Sequence, residues 1–153
     1  MNLMTNPDIK NWNSHHYVFV EKSAGSLPEM AQNAWKELNS KIAEISKENK
    51  ISDFTSLYKT EPQFLYRAGV FVSEKPKSLP TGFKYEYFNG GNYLRFTLMG
   101  SYSQLPEACG KVFQIVKERK LPLREDFYLE NYVNDPQTTP QENCITEILV
   151  PTI

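Results

Sequence analysis

At 153 residues, with 40 % hydrophobic and 23 % charged side chains and a net charge of −1, the chain has the size and balance of one soluble domain. Its 17 basic and 18 acidic residues form no basic stripe, which argues against a nucleic-acid footprint, and no stretch approaches the ~20 apolar residues of a membrane span. Two cysteines are too few for a disulfide scaffold and Met1 to Trp12 lacks the apolar core of a signal peptide, so a cytoplasmic location is expected.

Residues 1–13 read as a loose N-terminal arm. His15 to Glu21 alternates as a strand and is broken by Gly25-Ser26. Ser26 is suited to cap a helix, with Pro28 pre-set for its first turn and Glu29 favoured near its positive end. Ala31, Ala34, Trp35, Leu38, Ile42 and Ile45 then recur at helical spacing, and the helix is expected to end near Ser46. Phe54 to Lys59 and Phe64 to Val72 read as strands around a turn at Glu61-Pro62-Gln63. Residues 75–82, with Pro76, Pro80 and Gly82, read as a linker.

Phe83, Tyr85 and Tyr87 alternate with Lys84 and Glu86. Asn89-Gly90-Gly91-Asn92 is a strong hairpin signal, so the strand from Tyr93 to Met99 is expected to fold back on this segment. Leu105 to Arg119 reads as a second helix stopped before Pro122. Asp126 to Val133 and Cys144 to Val150 read as closing strands around a polar loop.

The chain says roughly the same thing twice. Leu27-Pro28-Glu29 and Leu105-Pro106-Glu107 open the two helices, and at that shift Ala31 falls on Cys109, Ala34 on Val112, Trp35 on Phe113 and Leu38 on Val116. Downstream, Tyr58 to Gln63 matches Tyr132 to Gln137. The expected fold is α+β: two strand–helix–strand–strand units (residues 14–74 and 83–153) within a single domain spanning 14–153. Pseudo-two-fold symmetry, antiparallel sheets, both helices on one side and a ligand groove on the other complete that expectation.

Alternation on the strand from Asp126 to Val133 separates Phe127, Leu129 and Val133 from Tyr128, Glu130 and Tyr132. If the apolar set packs on the helices, Glu130 lies between two tyrosines on the side away from them. The first copy offers Phe54, Ser56 and Tyr58 at the matching positions. A lone carboxylate among rings suits a flat or cationic organic molecule, through ring area, cation–π attraction and charge compensation. A strand glutamate flanked by sheet-covering tyrosines at the surface gives the same pattern, and Glu147 is mid-strand without the tyrosines, so alternation alone leaves both readings open. No Cys, His or Asp cluster has metal-ligand spacing, no phosphate loop or nucleophile elbow is present, and no cofactor or metal is called for.

The ordered set Asn89-Gly90-Gly91-Asn92-Tyr93, Gly100-Ser101-Tyr102, Glu130-Asn131-Tyr132-Val133-Asn134-Asp135-Pro136 and Thr146-Glu147-Ile148-Leu149-Val150-Pro151 resembles the GyrI-like effector-binding family. Its members include ligand-binding domains of AraC-type and MerR-type multidrug-responsive regulators, and free-standing proteins. The resemblance implies a duplicated fold with a groove between the copies, taking hydrophobic and often cationic compounds against aromatic residues and one acid. It carries that acid onto Glu130, with Tyr132. Tyr128, Tyr58, Phe54, Tyr66 and Tyr85 are groove candidates from alternation and repeat logic. With no helix-turn-helix ahead of the domain, the expectation is a stand-alone small-molecule binder that does not itself bind DNA. Two alternatives stay open: hydrolysis of reactive hydrophobic electrophiles with the same Glu130, and a protein-binding modulator resembling DNA gyrase inhibitors.

Overall fold

The computed structural model describes residues 1–153. In chain order its elements are β1 (Asn2–Leu3), β2 (Asp8–Trp12), β3 (His15–Lys22), α1 (Leu27–Glu48), β4 (Ile51–Lys59), β5 (Leu65–Val72), β6 (Lys84–Phe88), β7 (Gly91–Met99), α2 (Leu105–Glu118), β8 (Tyr128–Tyr132) and β9 (Ile145–Pro151). They group into two compact units: Asn13–Gly90, and Met1–Trp12 with Gly91–Ile153. The α+β class and the antiparallel strand pairing agree with the sequence reading.

In the unit Asn13–Gly90, the strand order is β4-β5-β3-β6, with α1 packed on β3 and β5. Ser26 Oγ accepts from the Glu29 N–H at 3.3 Å and opens α1, as its capping chemistry requires. Ala34 and Leu38 are fully buried from the helix, as are Val18, Val20, Ala68 and Val70 from the strands. Gly69 on β5 is fixed by contact rather than by backbone conformation. A Cβ there would lie 2.5 Å from the Tyr17 ring, whose hydroxyl donates to the Thr55 carbonyl.

In the other unit, the order is β7-β9-β8, with β1 and β2 both on the outer edge of β7. Leu94, Phe96, Leu98, Ile148 and Val150 from the sheet meet Ala108, Val112, Ile115 and Val116 from α2 in one apolar core. β5 enters between β3 and β4, and β9 between β7 and β8, as repeated units should. No helix is long and apolar enough to cross a membrane.

Two expectations are corrected. The opening residues are not a loose arm: Asp8 to Trp12 pair residue by residue with Arg95 to Gly91, and Asn2-Leu3 with Met99-Leu98. The expected hairpin across Asn89 to Asn92 does not form either. β6 pairs with β3, where Glu86 takes a 2.6 Å bond from Arg67 and Tyr85 bonds His16, and the β7 edge meant for it holds β2. The positive φ of Gly90 (78°) and Gly91 (131°) thus serves a connection between β6 and β7 rather than a tight turn.

Candidate functional site

Residues directly opposite on antiparallel strands share a face. Glu130 stands opposite Ile148, Tyr132 opposite Thr146, and these in turn stand opposite Phe96 and Leu98. Tyr128, Glu130 and Tyr132 therefore point to the face that carries α2. Two contacts confirm this: Cys109 Sγ on α2 donates to Glu130 Oε1 at 3.3 Å, and Phe113 meets Tyr128 edge-on at 5.2 Å between ring centroids. The expectation that Glu130 lies away from the helices is overturned. The physical reason is that both faces of β8 are covered. Leu129 and Asn131 are buried on the far face beside Leu149 and Glu147, so an apolar residue marks burial and not which layer supplies it.

Glu130 is partly buried and accepts a second hydrogen bond, from the Tyr132 hydroxyl to Oε2 at 3.1 Å. Burial pushes its carboxyl above the usual range, against the opposing pull of the Cys109 and Tyr132 bonds. Both donors are neutral, so the site holds a desolvated carboxyl with no counter-charge among its hydrogen-bond partners. Tyr102, from the short 3₁₀ turn Tyr102–Gln104 ahead of α2, meets Tyr132 edge-on at 5.4 Å. Such a group either takes a proton or pairs with a cation that brings its own apolar surface.

Glu147 gives the contrast that sequence could not. Its carboxylate accepts from Arg95 at 3.0 Å and Asn131 at 2.9 Å, and Lys10 lies at 3.5 Å. Arg95 also forms a forked pair with Asp8 on β2, which holds the Asp8 carboxyl below its ordinary range. This network fastens β2 to the sheet with its charges matched. The two mid-strand glutamates of this unit are therefore different in kind: one is neutralised and the other is not.

In the unit Asn13–Gly90, Phe54, Ser56 and Tyr58 face α1. Ser56 Oγ lies 2.7 Å from the Tyr66 hydroxyl, which accepts from Trp35 Nε1 at 2.8 Å, and Tyr58 stands opposite Tyr66. The repeat thus puts a serine–tyrosine–tryptophan chain of hydrogen bonds where the other unit has Glu130 with its thiol and tyrosine. Tyr58 and Tyr66 are brought together, whereas Phe54 lies on the same face opposite Val70, four residues or about 13 Å along β4 from Tyr58. Tyr85 does not join the pair either. It lies on the same face but in the row Phe54, Val70, Val18, Tyr85, three strand spacings or about 14 Å from Phe54. There it bonds His16 Nδ1 at 2.7 Å and lies under Lys75.

Three participants were not singled out as site residues from sequence. Cys109 aligns with Ala31 in the repeat, and that place in the helical stripe already put it on the sheet side. Trp35 read as core. Tyr102 stood in the quoted Gly100-Ser101-Tyr102 motif without a role. No group of three His, Cys, Asp or Glu side chains is arranged to hold a metal ion.

Comparison with known proteins agrees with this architecture. Among solved structures, the EcmrR C-terminal domain matches with a TM-score of 0.75 at 14 % identity, covering 96 % of this chain and 98 % of that one. SAV2435, solved bound to tetraphenylphosphonium, matches at 0.73 and 16 % identity, covering 96 % and 93 %. A hydrolase from Listeria innocua matches at 0.61 and 12 % identity, covering 96 % and 91 %. At these identities the likeness is one of fold. No curated protein matches significantly. The family description "GyrI-like small molecule binding domain" matches residues 5–152, nearly the whole chain, and the chain belongs to that family.

Proposed function

We propose that this domain binds hydrophobic organic cations, with Glu130 as the charge anchor and Tyr132 and Tyr128 as the adjoining aromatic surface. The observation that carries this reading is the carboxyl of Glu130, desolvated, flanked by rings and bonded only to two neutral donors. A cation supplies the charge that the protein withholds, and its apolar substituents meet ring faces and edges. Membership of a small-molecule binding family and the tetraphenylphosphonium bound by SAV2435 support the same class of ligand. Tyr58 and Tyr66 supply a further aromatic pair in their own unit, with Phe54 farther along the same face. The role is that of a sensing or sequestering module.

A thermal-shift series tests this, because a ligand that binds the native state stabilises it by mass action. Tetraphenylphosphonium and phenyltrimethylammonium are expected to raise the Tm in proportion to the logarithm of their concentration. The neutral triphenylphosphine oxide is expected to do so far less. Equal shifts from cation and neutral compound would contradict a charge anchor.

Hydrolysis is the second reading, favoured by one observation. A carboxyl whose pKa is raised by burial, 3.1 Å from a tyrosine hydroxyl, is shifted in the direction a general base or acid needs. Consumption of a hydrophobic ester by the wild type, abolished in Glu130→Gln, would support it. Turnover that survives the substitution would remove Glu130 from any such chemistry.

A further inference from the structure

Two hydroxyls near Glu130 are buried without a partner. Thr146 Oγ1 belongs to a residue with no exposed surface, and the Tyr102 hydroxyl is likewise enclosed; neither makes a hydrogen bond. Thr146 stands opposite Tyr132 on one side and Leu98 on the other, on the α2 face of the sheet. Glu130 stands opposite Ile148, so Thr146 is its diagonal neighbour across the strand pair, at about 7–8 Å between Cα atoms. The Tyr102 ring reaches the same place from the turn before α2, edge-on to Tyr132, the residue that bonds Glu130.

A buried hydroxyl without a partner is uncommon because it gives up its bonds to water and gains nothing in return. Two of them, on separate elements and both beside Tyr132, have the character of a site prepared for a polar group. Their chemistry is specific. A hydroxyl both donates and accepts, so the pair matches a hydroxyl or an amide and has no preference for pure hydrocarbon. They lie on the same face as Glu130, a short way along it.

Resting on the reading of Glu130 as a cation anchor, we propose that Tyr102 and Thr146 form a hydrogen-bonding subsite beside it. The ligand class is then narrower than lipophilic cations at large: aromatic cations that carry a hydroxyl or amide about one ring's width from the charge. Glu130 takes the charge, the ring lies against Tyr132, and the polar substituent meets the Tyr102 and Thr146 hydroxyls. Discrimination comes from the protein's own unpaired groups, which a ligand without the substituent leaves unpaired.

A matched pair of ligands tests this: phenyltrimethylammonium and 3-hydroxyphenyltrimethylammonium, titrated calorimetrically at neutral pH into wild type, Thr146→Val and Tyr102→Phe. Neither substitution removes an existing hydrogen bond of the empty protein, and both keep the side-chain shape, so both variants are expected to fold. The wild type is expected to favour the hydroxylated cation roughly tenfold. Each variant is expected to lose most of that preference while keeping its affinity for phenyltrimethylammonium. Equal binding of the two cations by the wild type, or a preference that survives both substitutions, would overturn the subsite and leave the Glu130 anchor standing. No binding of either cation would overturn the anchor and the subsite with it.

Discussion

The Cys109 thiol on α2 donates a 3.3 Å hydrogen bond to the Glu130 carboxylate on β8, so the helix itself holds the charged form of the residue it covers. Removing that donor has a signed consequence. A hydrogen bond to the carboxylate favours ionisation, so Cys109→Ala is expected to raise the Glu130 pKa further. Carboxyl-carbon NMR titration of wild type and variant reads this directly. An unchanged or lowered pKa would show that the thiol bond does not contribute.

The raised pKa of Glu130 also makes stability depend on pH, with a definite sign. Below the ordinary carboxylate range Glu130 is protonated in both the folded and unfolded states and costs nothing. As pH rises to its higher folded value the unfolded chain ionises first, so stability is lost through that window and stays lost above it. Glu130→Gln carries no such term. Denaturant melts are expected to show the variant gaining on wild type as pH rises from acid to neutral. A gap that is flat, or that moves the other way, would contradict a desolvated carboxyl.

Arg95 and Asp8 form one ion pair but do not carry equal weight. Glu147 is 7 % exposed, and Arg95→Met removes one of its charged partners while leaving the carboxylate in place. The expected cost is about 1–3 kcal/mol. Asp8 is exposed on β2, so Asp8→Asn is expected to cost under about 1 kcal/mol. Chemical denaturation of the two variants checks the order, and equal costs would show that Glu147 does not depend on Arg95.

Two glycines are expected to respond to alanine with opposite sign. At Gly69 the new methyl meets the Tyr17 ring, which is fixed by Thr55, Phe19 and Phe71, so overpacking should cost about 1–3 kcal/mol. Gly110 lies within α2 with nothing within 4 Å of the added carbon, and alanine there should stabilise by roughly 0.5–1 kcal/mol through helix propensity. Thermal melts of the pair decide it.

Much of this fold was legible because repeated local signals agree with it. The Leu-Pro-Glu openings start α1 and α2, and the strand periodicities fall where strands form. Strand partnership was not legible. The glycine pair at 90–91 is good hairpin chemistry, and only the competition of β2 for the β7 edge, secured by Arg95, shows why no hairpin forms. The placement of Glu130 failed for a related reason. Alternation divides Glu130 from Leu129 but cannot say which face α2 covers when both are buried. That Glu147 is neutralised and Glu130 is not depends on Lys10, Arg95 and Asn131, from three different strands, and no local pattern contains it.

The central claim is that Glu130 supplies the charge that holds a cationic ligand. Isothermal titration of tetraphenylphosphonium into wild type and Glu130→Gln tests it most directly. Loss of one desolvated charge interaction is expected to weaken binding by about 1.4–3 kcal/mol, tenfold or more, while triphenylphosphine oxide binds both proteins alike. Equal affinity of the two proteins for tetraphenylphosphonium would contradict the account.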